Sequence, residues 1–573
     1  MLNLRTLPFL SLLLLVAGNP VRADDAKGPE TKPPETKAGD AKADTADKGT
    51  VDKDDSAKKP EEPAPSVTAH SIVVNGQIIK YHATAGYMIV NIEEGKPIPT
   101  TMHIHRGLDA DGPSPAGDSD EPAKFKDGVK PVAKIFYVAY TLDDVADPGK
   151  RPVTFLFNGG PGSSSMWLHM GSVAPRRAVL TEEGESPPPP YSIMDNESTW
   201  LDKTDLVFID PVSTGYSRPM PKEDLKQFHG IKEDIASIGE FIRLYITHNE
   251  RWLSPKLVMG ESYGTLRASG LSDYLQSRYG MYLNGIVLVS TVLDYKAIVF
   301  SPQNDTPYVD YLPSFATVAW YHHKLSPEMQ AKGVAEIAAE ARTFAGGEYA
   351  SALMRGDTLP AKDKQHIASE LNRFTGIAAS DFLLLNLRLQ DSQYFGKLLY
   401  AEGRYVGGYD ARFTGLSYHP GDTNFDDAYD PSEEAIEPPL TAAFNDYIRR
   451  ELKYENDLPY EDSVDVTPWN FGDAENGFPN TAENLRRAMT RNPYLRVWVT
   501  CSYYDLSTPF FGAENVIASM GLDPSVRSNL RITYYESGHM LYIHSPSRVK
   551  FKADFVSFLS DATAAPVVHN AAR

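Results

Sequence analysis

The chain has very little cysteine. Among its 573 residues only Cys501 carries a thiol, so no intrachain disulfide can form and the fold must hold by packing alone. Positive charge is also in deficit. Lys and Arg number 56 against 76 Asp and Glu, a formal net charge of −20. That balance argues against nucleic acid and anionic membrane surfaces as partners, because both require basic patches. The apolar run at the start, Leu7–Ala17, is too short to span a bilayer. Behind Arg5 and ahead of Val21-Arg22-Ala23, it reads as a signal peptide cleaved after Ala23. A cleavable leader on a chain without disulfides implies a secreted or periplasmic protein of a bacterial envelope. Residues 24–65 lack aromatics and nearly all aliphatics, which leaves too little apolar surface to offset chain entropy. They are expected to form a disordered charged and Pro-rich linker.

What is present is a rhythm of apolar runs. Ile72–Ile79 is interrupted by Asn75-Gly76, a hairpin signal, and further strands are expected at Tyr87–Ile92 and Ala133–Thr141. Val153–Phe157, Leu206–Ile209, Leu257–Met259, Ile286–Val289, Leu495–Thr500 and Ile532–Tyr535 are near-continuous, as buried parallel strands are. Between the second and third, Ile231, Ile235, Ile238, Ile242 and Tyr245 recur at helical spacing. The alternation predicts an α/β fold with a doubly wound, mostly parallel sheet. Residues 66–300 and 481–573 are assigned to the core. The stretch 301–480 breaks the rhythm and is expected to be an inserted cap. Helices are expected at Leu325–Ala345 and Ala361–Leu399, and irregular chain from Gly403 to Asn480.

Leu257-Val258-Met259-Gly260-Glu261-Ser262-Tyr263-Gly264 is a short strand running into a helical pattern. In that context G-x-S-x-G forms a nucleophile elbow, with Gly260 and Gly264 leaving room for the crossing backbones. A serine needs a base, and the base needs an acid to fix its tautomer. Downstream of Ser262, Asp505 and His539 each follow a predicted strand, in the order Ser, Asp, His that such scaffolds use. Singly, each has an ordinary reading as a turn serine, a loop aspartate and a structural histidine. Together they form a candidate catalytic set. The oxyanion donors would be the N–H of Tyr263 and one from the loop Asn158-Gly159-Gly160-Pro161-Gly162-Ser163-Ser164.

The blocks Asn158-Gly-Gly-Pro-Gly-Ser-Ser, Asp210-Pro-Val-Ser-Thr-Gly-Tyr-Ser, Gly260-Glu-Ser-Tyr-Gly and Ser537-Gly-His539-Met resemble the signatures of the serine carboxypeptidases, in that family's order. The resemblance implies an α/β-hydrolase fold with an inserted, largely helical cap, and removal of residues from peptide carboxyl ends. Carried over position by position, it implies Ser262 as nucleophile, His539 as base and Asp505 as its orienting acid. Gly160 and Tyr263 would donate to the oxyanion, and Asn158 and Glu261 would bind the substrate's terminal carboxylate. The implied partner is a peptide with a free carboxyl end, and no cofactor is required. A carboxylate facing Glu261 must share a proton with it, which implies a preference for acidic pH. The chain departs from the family at Leu156, where many members have Trp, and at Ser163, where many have Cys.

Two alternatives stay open at this level: an esterase or acyltransferase with the same machinery, and an inactive scaffold used for binding. Other motifs are weaker. His103-x-His105 would place two imidazoles on one strand face, with no third metal ligand evident. His322, His323 and His544 read as surface or structural. Asn196-Glu-Ser and Asn304-Asp-Thr match the glycosylation acceptor pattern.

Overall fold

The computed structural model describes residues 64–93, 100, 129–418, 429–474 and 477–564. The expected leader, the linker up to residue 63 and the His103-x-His105 pair lie outside the described residues. At the first hairpin, β1 (Ser66–Val74) and β2 (Gln77–Glu93) pair antiparallel, Val74 opposite Gln77. Asn75 (φ 50°) and Gly76 (φ 76°) make the turn, both left-handed as a two-residue hairpin loop requires. The strand expected at Tyr87–Ile92 is the second half of β2, which pairs antiparallel with β3 (Val129–Leu142) across a register shift at Val90 and Asn91.

From β3 the sheet turns parallel. Its order continues as β3, β5 (Asp205–Ile209), β4 (Val153–Phe157), β6 (Lys256–Ser262), β7 (Gly285–Thr291), β8 (Arg496–Ser502) and β9 (Leu530–Tyr535). β5 is antiparallel to β3, and every later neighbour is parallel. All six strands expected from the apolar runs are present. Because successive side chains point to opposite faces, each strand feeds two cores. Phe155, Val258, Leu288 and Val499 enter one, with α1 (Ile231–His248) and α2 (Tyr263–Tyr279). Leu156, Met259, Val287 and Trp498 enter the other. This is the α/β-hydrolase arrangement.

Residues 301–480 are more regular than expected. α3 (Thr306–Tyr321), α4 (Val334–Phe344), α5 (Ala361–Thr375) and α6 (Asp391–Lys397) are helical. The stretch expected to be irregular contains α7 (Pro431–Arg450), a helix of 20 residues. Asp430 caps it by accepting from Ser432 N, and Pro431 suits the first turn. Pro438 and Pro439 lie inside it, where proline costs helix stability. Packing outweighs that cost: Ile436, Leu440, Phe444, Tyr447 and Ile448 are fully buried with Phe136, Leu156 and Phe208 in the second core. The insertion is thus partly a structural wall of the sheet.

The two glycosylation-pattern asparagines are buried. Asn196 donates to Ser172 O and Ala174 O, and Asn304 to Lys296 O and Val299 O, so neither amide is available to a sugar.

The second core is anchored by Trp200, fully buried and stacked 3.5 Å from the Phe555 ring of the last helix, α9 (Ser545–Thr563); α8 is Phe510–Ser519. Trp200→Ala should lower stability by about 3–5 kcal/mol, read as a shifted denaturant midpoint, through lost burial and the cavity left behind.

Candidate active site

The candidate residues converge at the carboxyl ends of the parallel strands, where doubly wound sheets bind ligands. Asn158 follows β4, Asp210 follows β5, Ser262 ends β6, Asp505 follows β8 and His539 follows β9.

Ser262 occupies φ 59°, ψ −130°, a strained conformation for a side-chain-bearing residue, at the junction of β6 and α2. The backbones cross tightly there. A Cβ on Gly260 would lie 2.0 Å from Gly264 O, so the crossing admits no larger residue. The β4 loop packs against the same turn: a Cβ on Gly159 would lie 2.5 Å from Tyr263 N and 2.7 Å from Glu261 O. Tyr263 is the first residue of α2, where the N–H has no intrahelical acceptor. Gly160 adopts φ 99°, open to glycine at no steric cost. The two expected oxyanion residues are therefore brought together by direct contact of their chain segments.

That loop is held from two further sides. Asp210 Oδ1 accepts from Ser165 N (2.9 Å) and Ser165 Oγ (2.7 Å), and burial raises its pKa to about 6. From the insertion, Asp462 O accepts from Ser164 N (2.9 Å), and Val464 N donates to Gly162 O (2.9 Å).

His539 Nδ1 lies 2.9 Å from Asp505 Oδ2, and both residues are buried. The carboxylate assigns the ring proton to Nδ1, leaving Nε2 as the basic edge. Nε2 is buried without a hydrogen-bond partner among the described residues. Asp505 is itself fixed by Ser507 N (2.9 Å), Thr508 N (2.8 Å) and Thr508 Oγ1 (2.7 Å). Burial lowers the His539 pKa, but the Asp505 and Glu261 carboxylates outweigh it and leave the imidazole above its ordinary value.

Glu261 is buried, and burial raises its pKa to about 7 against the opposing pull of His539, Tyr542 and Asn158. Its Oε2 has no hydrogen-bond partner among the described residues. Asn158 is buried beside it, its Oδ1 accepting from Leu168 N at 3.1 Å.

Several contributors were not apparent in the sequence. Thr508 braces the acid, and its Oγ1 also lies 3.2 Å from His539 Nδ1. Tyr409 O accepts from His539 N (2.6 Å), and its ring lies 5.4 Å from the imidazole. Tyr542 faces Glu261. Asp410, paired with Arg412, accepts from Gly538 N at 3.0 Å. Gly538 is needed for that close approach rather than for a turn of unusual φ, since a Cβ there would lie 2.4 Å from Asp410 Cβ. Tyr409 and Asp410 come from the insertion, and no local pattern ties them to His539. The other sequence-singled histidines lie elsewhere: His322 contacts Ala411 O, and His544 contacts Ser547 Oγ.

A family model described as serine carboxypeptidase matches residues 127–540, nearly three quarters of the chain. The chain belongs to the serine carboxypeptidase family. Among curated proteins, the pheromone-processing carboxypeptidase KEX1 of Saccharomyces cerevisiae is 31% identical over 135 residues, 22% of this chain and 17% of that protein. Serine carboxypeptidase-like 51 of Arabidopsis thaliana is 27% identical over 224 residues, 37% of this chain and 43% of that protein. The chain thus spans less than half the length of these serine carboxypeptidase relatives. The solved structure of KEX1(Δ)P, a prohormone-processing carboxypeptidase from Saccharomyces cerevisiae, aligns with a TM-score of 0.47 at 13% identity. That alignment covers 84% of this chain and 91% of that one. Among the described residues no helix is long and apolar enough to cross a membrane.

Gly159→Ala tests the contact between loop and elbow. Its methyl group would displace the β4 loop from Tyr263 N, and kcat/KM for an acyl substrate should fall about 100-fold or more in a folded protein.

Proposed function

We propose that this protein is a serine carboxypeptidase acting through an acyl-enzyme. Ser262 attacks the carbonyl of the last peptide bond, and His539 Nε2 takes its proton. The N–H groups of Gly160 and Tyr263 receive the developing oxyanion, and Asp505 holds the imidazole. His539 then protonates the departing amino acid, and water repeats the cycle on the ester. Export through the leader Met1–Ala23 to a secreted or periplasmic location belongs to the same reading.

The observation that carries the choice of a carboxypeptidase is Glu261. A buried carboxyl group beside the base, its pKa pushed up to about 7 by burial, suits a free α-carboxylate, which an ester substrate lacks. The substrate carboxyl is ionised above about pH 4, so the proton for a short carboxyl–carboxylate hydrogen bond must come from Glu261. Glu261 holds that proton below about pH 7 and loses it above. Binding therefore weakens as pH rises through neutrality. Glu261 is also one of the charges that raise His539. Protonating Glu261 relaxes that pull and favours the neutral imidazole, so the two groups titrate as a coupled pair.

Two blocked dipeptides differing only in a free or amidated carboxyl end should separate the readings. Turnover of the free acid alone is expected, falling by about 10⁴-fold or more in Ser262→Ala. Equal turnover of both would instead indicate an esterase or general acyl hydrolase. For the free acid, KM should climb as pH passes about 7. Glu261→Gln, which keeps a donor of similar shape, should flatten that rise while increasing KM about 3- to 10-fold at acidic pH. An unchanged KM–pH curve in the variant would remove Glu261 from carboxylate binding.

A further inference from the structure

Arg267 is an unusual core residue. It lies one turn beyond the nucleophile on α2, is 1% exposed, and its guanidinium lies 5.1 Å from the Phe157 ring centroid and 5.2 Å from that of Tyr263. Its Nε donates to Asp234 Oδ2 at 2.7 Å, and its Nη1 donates to Asn158 O at 2.6 Å. Asp234, 4% exposed on α1, accepts at the same Oδ2 from the Tyr263 hydroxyl at 2.9 Å. One connected network therefore touches both residues that flank the oxyanion site. The Asn158 carbonyl is one peptide upstream of the Gly160 N–H, and the Tyr263 ring belongs to the residue supplying the other N–H.

A buried ion pair is a poor choice if stability is the only requirement, because well-packed apolar side chains usually do as well or better. What it offers is geometry. The guanidinium is a rigid fork, able to hold a carbonyl and a carboxylate in fixed relation, which a lysine ammonium cannot reproduce. Here the fork spans the β4 loop, α1 and α2, the three elements whose relative placement sets the distance between the two donors.

We propose that Arg267 and Asp234 are positioning residues that lock the two halves of the oxyanion hole in register; the proposal rests on the acyl-transfer reading above. Neither touches the reacting atoms. Their effect is on the developing oxyanion, and the Asn158 side chain is held separately by Leu168 N, so rate should be lost with little loss of affinity.

Two variants test this. Arg267→Lys keeps the charge and loses the fork. The paired variant Arg267→Met with Asp234→Asn removes both charges together, so that no uncompensated ion is stranded in the core. Three quantities are measured: the rate at which diisopropyl fluorophosphate modifies Ser262, followed by intact mass; kcat and KM for the blocked dipeptide acid; and Kd for that acid in a Ser262→Ala background. Ser262 modification and kcat should each fall about 10- to 100-fold in both variants, somewhat less than for outright loss of a donor. KM and Kd should stay within about threefold, because ground-state binding makes no use of the oxyanion donors.

Wild-type rates in both folded variants would overturn the proposal, as would a raised KM with unchanged kcat. Collapse of the paired variant would mark the network as structural and overturn it too. Slowed Ser262 modification in the variants, in a protein that turns over no peptide acid even as wild type, would uphold the positioning role. The carboxypeptidase reading would then be the one to fail.

Discussion

The site depends on one steric constraint: the backbones of β6, α2 and the β4 loop pass within contact distance of one another. Gly260 allows strand and helix to cross, and Gly159 and Gly264 let the end of β4 and its loop rest on the first turn of α2. The strained backbone of Ser262 is a product of that crossing. So is the proximity of Tyr263 to the segment bearing Gly160. Strain of this kind persists only when the surroundings over-determine it. Here Asp210, the strand-like segment around Asp462–Val464 and the Arg267–Asp234 network each hold the loop from a different direction.

Burial then shapes the chemistry. Asp505, His539 and Glu261 are almost wholly withdrawn from water. Desolvation works against charge on His539 and Glu261, and neighbouring charges oppose it at both. Asp505 is compensated by three donors and stays available as an acceptor for His539 Nδ1. Glu261 is left with an oxygen lacking a partner, and its pKa rises to about 7. The same low-dielectric setting thus holds one carboxyl group among donors and leaves the other with a raised pKa.

The sheet and the triad candidates were legible in the sequence because each has a short-range signature. Parallel strands buried on both faces are continuous apolar runs, and Val153–Phe157 matches its strand residue for residue. Ser262, Asp505 and His539 each follow such a run. The insertion was less legible. In α7, Pro438-Pro439 mask a helical stripe whose stability comes from tertiary burial of Leu440, Phe444 and Tyr447. Tyr409, Asp410 and Thr508 were missed because their roles come from contacts across the fold. Arg267 was visible in the sequence, but nothing local distinguishes a buried arginine from a solvated helix residue.

If this geometry makes Ser262 a nucleophile, an acyl group must pass through its Oγ. Rapid acid quenching during turnover of an activated acyl ester, followed by proteolysis and mass analysis, tests it directly. A transient adduct with the mass of the acyl group is expected on the peptide carrying Ser262, absent in His539→Ala. Full turnover with Ser262 unmodified at every quench time, or an acyl group on another residue, would contradict it.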